Sequence, residues 1–115
     1  MRILVVILFL VAAKSLVASA WGAGGKLYIG DGSNSCGAWT EERARDNQRV
    51  QLWKGWLLDF VSGANIYGNS DILAGADAQA IYGWVDNYCR AHPLDRVFDG
   101  AVALVSELLR RAEHR

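Results

Sequence analysis

The sequence predicts an all-α protein: a small single-domain helical bundle of three main helices plus a short N-terminal helix, closed by one disulfide. Three observations carry this. Apolar residues recur at helical spacing through Val50–Ala64, Ile81–Tyr88 and Val97–Leu108. No pair of alternating, strand-like runs accompanies them. The only two cysteines, Cys36 and Cys89, flank the first part of this helical region, which spans residues 35–115.

Residues 1–20 read as a signal peptide. Arg2 supplies a positive start, Ile3–Ala13 is an apolar run of the right length, and Ala18-Ser19-Ala20 is a small-residue cleavage site. The run is too short to span a bilayer and ends at Lys14. The alternative reading is a leader retained as an anchor; cleavage would leave no stable membrane insertion. The localisation expected is periplasmic or secreted. Losing Arg2 and Lys14 with the leader leaves ten Lys/Arg against twelve Asp/Glu, a net charge of about −2. That balance, with no basic cluster, argues against nucleic acid as a partner. In an oxidising compartment a lone cysteine pair forms a disulfide. Closing so long a loop stabilises a fold by about 4 kcal/mol in the chain-entropy model.

Residues 21–34 form a glycine-rich lead-in, read as flexible, with a short extended piece at Lys26–Ile29. The GAGGK stretch lacks the strand and the Ser/Thr of a phosphate-binding loop. Helical signals begin near Ser35 or Thr40. Thr40-Glu41-Glu42 offers a capping hydroxyl and two first-turn acids, while Cys36–Trp39 is the alternative earlier turn. Arg43–Gln48 is polar and reads as solvated, with a break at Asp46-Asn47.

From Arg49 the period is helical: Val50, Trp53, Leu57, Phe60 and Ala64 share a broad face, with Trp56 and Gly63 beside it. Gly55 and Gly63 each cost about 1 kcal/mol of helix propensity, which makes sense if another helix approaches closely there. Stop signals cluster at Gly63–Gly68. After a loop over Asn69–Ala76, Asp77 caps a helix with Ile81, Trp84, Val85 and Tyr88 inward. His92-Pro93 ends it, and Pro93 is expected in the first turn of the last helix. That helix buries Val97, Ala101, Leu104, Val105 and Leu108, and Arg110, Arg111 and Arg115 suit its C-terminus.

Little here resembles catalytic machinery. Cys89 and His92 have nucleophile–base or metal-ligand spacing, but a disulfide removes the thiolate and too few further ligands exist. Glu41 and Glu42 lie on a solvated turn, and Asp77, Asp86, Asp95 and Asp99 read as caps or exposed positions, so no carboxylate pair stands out. Neither an enzyme activity nor a cofactor or metal is expected. The tryptophans and tyrosines read mainly as core, with one of Trp53 and Trp56 buried and the other on an edge suited to protein contact. Asp59 is the local anomaly: either part of an exposed stripe with Gln48, Lys54 and Ser62, or a half-buried carboxylate whose charge responds to mild acid. Trp53, Trp56 and Asp59 are therefore the candidate protein-binding or pH-sensing residues.

Cys36, Trp53-Lys54-Gly55-Trp56-Leu57-Leu58-Asp59-Phe60-Val61-Ser62-Gly63 and Tyr88-Cys89-Arg90-Ala91-His92-Pro93 together resemble small periplasmic proteins of the HdeA/HdeB type. The resemblance spans Cys36–Leu108. It implies an acid-stress chaperone, a homodimer at neutral pH that opens in acid and binds unfolded clients. Ile81–Leu109 is similar also to Rap/Tai-type immunity proteins, which implies a secreted antibacterial effector as partner. An envelope-associated structural protein is the third alternative. Asp59 stands where both groups usually carry glycine, and the cysteine placement fits the first group better.

Overall fold

The computed structural model describes residues 30–115. The signal peptide, its cleavage site and the extended piece at residues 26–29 lie outside them. Four helices follow a 3₁₀ turn at Asp31–Ser33: α1 (Cys36–Arg45), α2 (Gln48–Tyr67), α3 (Ala78–Ala91) and α4 (Val97–Glu113). Among the described residues there is no strand, only an isolated antiparallel bridge between Ser35 and Arg96. The described residues form an all-helical fold that carries the Cys36–Cys89 disulfide.

Capping explains most of the boundaries. Ser35 caps α1, its Oγ accepting from the Ala38 amide at 3.1 Å, so Cys36–Trp39 is the first turn and Thr40 lies inside the helix. Asp46 ends α1 in the left-handed region at φ 50°, a conformation that Asp tolerates better than most residues. Asn47 then caps α2 through the Val50 amide at 3.1 Å, which makes Asp46-Asn47 the expected break. Asp77 caps α3 through Ala80 at 2.8 Å. Asp99 Oδ2 accepts from the Arg96 amide at 2.9 Å at the start of α4.

Pro93 departs from expectation. It sits in the turn before α4, not in its first turn. The reason lies in α1, whose first amides have no partner within their own helix. Cys36 N–H donates to the Asp95 carbonyl at 2.7 Å and Gly37 N–H to that of Pro93 at 3.0 Å. Val97 N–H donates back to Asn34 at 2.9 Å. The α3–α4 connection is thus held non-helical as the cap of α1.

The core gathers Trp39 of α1, Trp53, Leu57 and Val61 of α2, Ile81, Tyr82 and Val85 of α3, and Val97, Ala101, Leu104 and Leu108 of α4. Val61 and Tyr82 are buried where the sequence pointed to Phe60, Trp84 and Tyr88, which are only partly covered. Ile72 plugs the α2–α3 connection. Its amide donates to Asn65 Oδ1 at 2.8 Å, and Arg115 donates to the carbonyls of Ala74 and Asp71 at 2.8 and 2.6 Å. Gly55 and Gly63 are not close-contact positions, because a Cβ at either would meet nothing within 4 Å. The close approaches fall at Gly32, where a Cβ would lie 2.3 Å from the Trp56 ring, and at Gly100, 3.0 Å from Tyr88.

Cys36 and Cys89 are both fully buried, with Cα atoms 4.6 Å apart and 53 positions apart in the chain. Replacing both by serine is expected to lower unfolding stability by about 4 kcal/mol. Urea titration of the variant beside the oxidised protein measures this; a difference under about 1 kcal/mol would contradict it.

Candidate protein-binding face

Trp53 and Trp56 divide as the edge reading requires. Trp53 is 6% exposed and belongs to the core. Trp56 is partly exposed, its ring stacked on Phe60 at 5.4 Å, and Phe60 meets Phe98 of α4 edge-on at 5.7 Å. These three aromatics form a ridge joining α2 to α4, in geometries that aromatic pairs favour. Phe98 continues along α4 into Val102, Val105 and Leu109 at helical spacing, with Val102 and Leu109 exposed. One end of the ridge is closed by the 3₁₀ turn, which lays Gly30 and Gly32 against the Trp56 ring. The flexible lead-in expected over residues 21–34 is folded over its last part, residues 30–34, because only glycine permits so close a seat.

Asp59 is exposed on α2. The half-buried setting is absent, and the carboxylate belongs to the outward stripe instead. Trp53, Trp56 and Asp59 therefore do not converge on one point: Trp53 faces the interior, Trp56 the ridge and Asp59 the solvent.

The electrostatic centre lies elsewhere, at Asp86, a residue expected to be a cap or an exposed position. Asp86 of α3 accepts the Trp39 indole N–H at 2.7 Å and a two-pronged contact from Arg43, 2.9 Å to Oδ1 and 2.8 Å to Oδ2. Both charged partners are largely covered, with side-chain exposures of 26% and 18%. Burial pushes the Asp86 carboxyl upward, but the hydrogen bonds from Arg43 and Trp39 outweigh it and hold the group below its ordinary value. The Arg43 guanidinium also lies over the Trp39 and Tyr82 rings, at 5.9 and 5.7 Å. Glu42, expected on a solvated turn, is 5% exposed and paired with Asn47, with Arg45 and Arg49 at 3.5 and 3.8 Å.

A second tie closes the far end of α3. Tyr88 Oη donates to Asp95 at 2.6 Å, and this bond, with burial, pushes the phenol up to about 12. The His92 ring stacks on Tyr88 at 4.4 Å. On α4, Arg110 and Arg111 hold Glu107 down at about 2.

The cavities are modest. One of about 100 Å³ opens between α3 and α4 over Ile81, Trp84, Leu104 and Leu108, well below the usual size of a small-molecule site. A depression of about 340 Å³ beside Arg43 and Arg90 has Asp86 in its wall, already paired with Arg43. Among the described residues no three His, Cys, Asp or Glu side chains could hold a metal ion, and no helix is long and apolar enough to cross a membrane.

Comparison with known proteins finds no matching family model, no matching curated protein and no matching solved structure.

The Asp86 cluster gives a signed pH prediction. A carboxyl depressed in the folded state contributes stability that is complete above its unfolded value, about 4, and is lost as pH falls through the lower folded value. Asp86→Ala is expected to cost about 2 kcal/mol at neutral pH, since it strands Arg43 and the Trp39 N–H. Chemical denaturation at neutral pH and at about pH 3 should show the gap between variant and parent shrinking in acid; a constant gap would contradict the assignment. Separately, Gly32→Ala should displace the Trp56 ring and destabilise by about 1–3 kcal/mol, whereas Gly55→Ala should be neutral or stabilising. Paired thermal melts distinguish the two.

Proposed function

We propose that this chain is a non-enzymatic protein-binding domain of the periplasm or the secreted fraction, folded as one small helical bundle and similar in action to HdeA/HdeB acid-stress chaperones. The observation that carries the reading is the partly exposed Trp56–Phe60–Phe98 ridge with Val102 and Leu109, mounted on a disulfide-closed frame. Apolar and aromatic side chains of this kind anchor protein contacts. The buried disulfide suits an oxidising compartment.

Acid sensitivity has a physical basis in the same frame. Carboxylates serve as ties between segments: Asp86 joins α3 to α1, Asp95 holds Tyr88, and Asp77 and Asp99 cap α3 and α4. Protonation removes the charge from all of them while Cys36–Cys89 keeps the chain stapled, so acid would loosen the fold and uncover more apolar surface without dispersing the chain. The Rap/Tai-type immunity reading is the second proposal. It is favoured by the fact that the ridge is already presented by the folded protein and needs no acid to form.

The test is light scattering of an acid-labile client at about pH 2–3, with and without the protein. Suppression of aggregation there, weakened by Trp56→Ala together with Val102→Ser, is the expected result. No suppression in acid, with stable capture of one secreted effector at neutral pH, would replace the chaperone reading by the immunity one.

A further inference from the structure

The cavity between α3 and α4 plays no part in the aromatic ridge. It measures about 100 Å³ and is lined by Ala80, Ile81, Trp84, Leu104 and Leu108, with Glu107 and Arg111 as its charged members. An apolar cavity of about 150 Å³ accepts benzene, so this one is sized for a single aliphatic side chain such as that of leucine. Its surroundings are held in place. The Trp84 ring stacks on Tyr88 at 6.0 Å, and Tyr88 is tied to Asp95. Gly75 and Ala76 form a further edge, where Gly75 turns the chain at φ 78° and Ala76 N–H donates to the Leu73 carbonyl at 3.0 Å. Arg115 fixes the same loop through the carbonyls of Ala74 and Asp71.

Charge selects what the aliphatic group belongs to. Glu107 is shared by Arg110 and Arg111, so the three groups together carry a single positive charge. Arg110 spends Nε and Nη2 on Glu107, and Arg115 spends both terminal nitrogens on the loop carbonyls. Arg111 donates through Nε alone, and among the described residues its two terminal nitrogens make no hydrogen bond or ion pair. Asp77, next to Ala76 in the chain, is committed to capping Ala80. A guanidinium with both terminal nitrogens open takes a carboxylate in a two-pronged contact.

We propose that this cavity recognises the C-terminal residue of a partner polypeptide, taking its aliphatic side chain between α3 and α4 and its carboxylate on Arg111. A chain end is the position where an aliphatic side chain and a carboxylate leave the same Cα. An internal leucine would bring only amides to Arg111, and an acidic side chain in the apolar cavity would strand its own charge. Capture of terminal carboxylates is a recurrent mode of peptide recognition. The cavity residues Leu104, Leu108 and Arg111 lie on a different face of α4 from Phe98, Val102 and Leu109. The site is therefore separate from the ridge, and each is testable without the other. One side chain and one ion pair make a small contact, so a short peptide binds weakly, with Kd on the order of 1 mM.

NMR titration of the purified protein at neutral pH with a pentapeptide ending in leucine tests the site. The Trp84 indole proton and the methyl groups of Leu104 and Leu108 should shift in proportion to occupancy. The same peptide with an amidated C-terminus should bind about tenfold or more weakly. Arg111→Met should bind both forms equally and as weakly as the parent binds the amide. Ala80→Leu, at an exposed position that lines the cavity, should bind neither, with circular dichroism confirming unchanged helicity. Equal binding of acid and amide by the parent would overturn the proposal, as would shifts confined to Trp56 and Phe98 or none at about 10 mM peptide. Hexanoate binding more tightly than the peptide would assign the cavity to a fatty acid and overturn it equally. None of these outcomes bears on aggregation suppression in acid, which the ridge variants test.

Discussion

The Cys36–Cys89 bridge sets the register on which the rest of this structure depends. Cys36 is the first residue of α1 and Cys89 lies near the end of α3, so the bridge forces the two helices to run antiparallel from a common corner. One turn inward on each helix, Trp39 meets Asp86. One turn further, Arg43 lies over Tyr82. Slipping either helix by a residue would break the indole hydrogen bond and the two-pronged ion pair together, leaving a largely covered carboxylate without partners, a costly arrangement. The covalent bond and the polar cluster therefore specify the same alignment.

The same corner organises the fourth helix. In the connection from α3 to α4 the Pro93 and Asp95 carbonyls accept from the first amides of α1, and Val97 N–H donates to the Asn34 carbonyl. Tyr88, bound to Asp95 and stacked on His92, holds that connection from the α3 side. Its ring also lies against Gly100, where any Cβ would crowd it. Three helix ends and one loop thus share a small volume around a buried disulfide, while the aromatic ridge sits at the α2–α4 seam. Covalent and hydrogen-bonded ties are concentrated at the corner, and the exposed apolar surface lies elsewhere.

Much of this was legible in the sequence. Helical periodicity located α2, α3 and α4, and Asp46-Asn47 and Asp77 marked boundaries through side-chain capping chemistry that is local and readable. The disulfide was expected from the presence of one cysteine pair in a chain that reads as exported. What escaped was long-range. Asp86 looked like one acid among several because its partners lie 43 and 47 positions away. Joining Cys36 and Cys89 brings the two helices together at one end but leaves their crossing angle open, so the pairing of Asp86 with Trp39 and Arg43 emerges only in the fold. Pro93 was misplaced because its carbonyl is claimed by α1, a demand invisible from residues 92–97 alone. Gly55 and Gly63 were assigned to an internal contact that does not exist, since helix spacing says where a surface is open but not which body fills it.

The most direct test of the bridge-set register is solvent exchange of the tryptophan indole protons, followed by NMR before and after reduction of the disulfide under native conditions. If the bridge aligns α1 on α3, the Trp39 indole proton should lose its protection on reduction while that of Trp53, held among α2 core residues, keeps most of its own. Unchanged protection of Trp39 in the reduced protein would show that packing alone sets the register and that the disulfide merely decorates it.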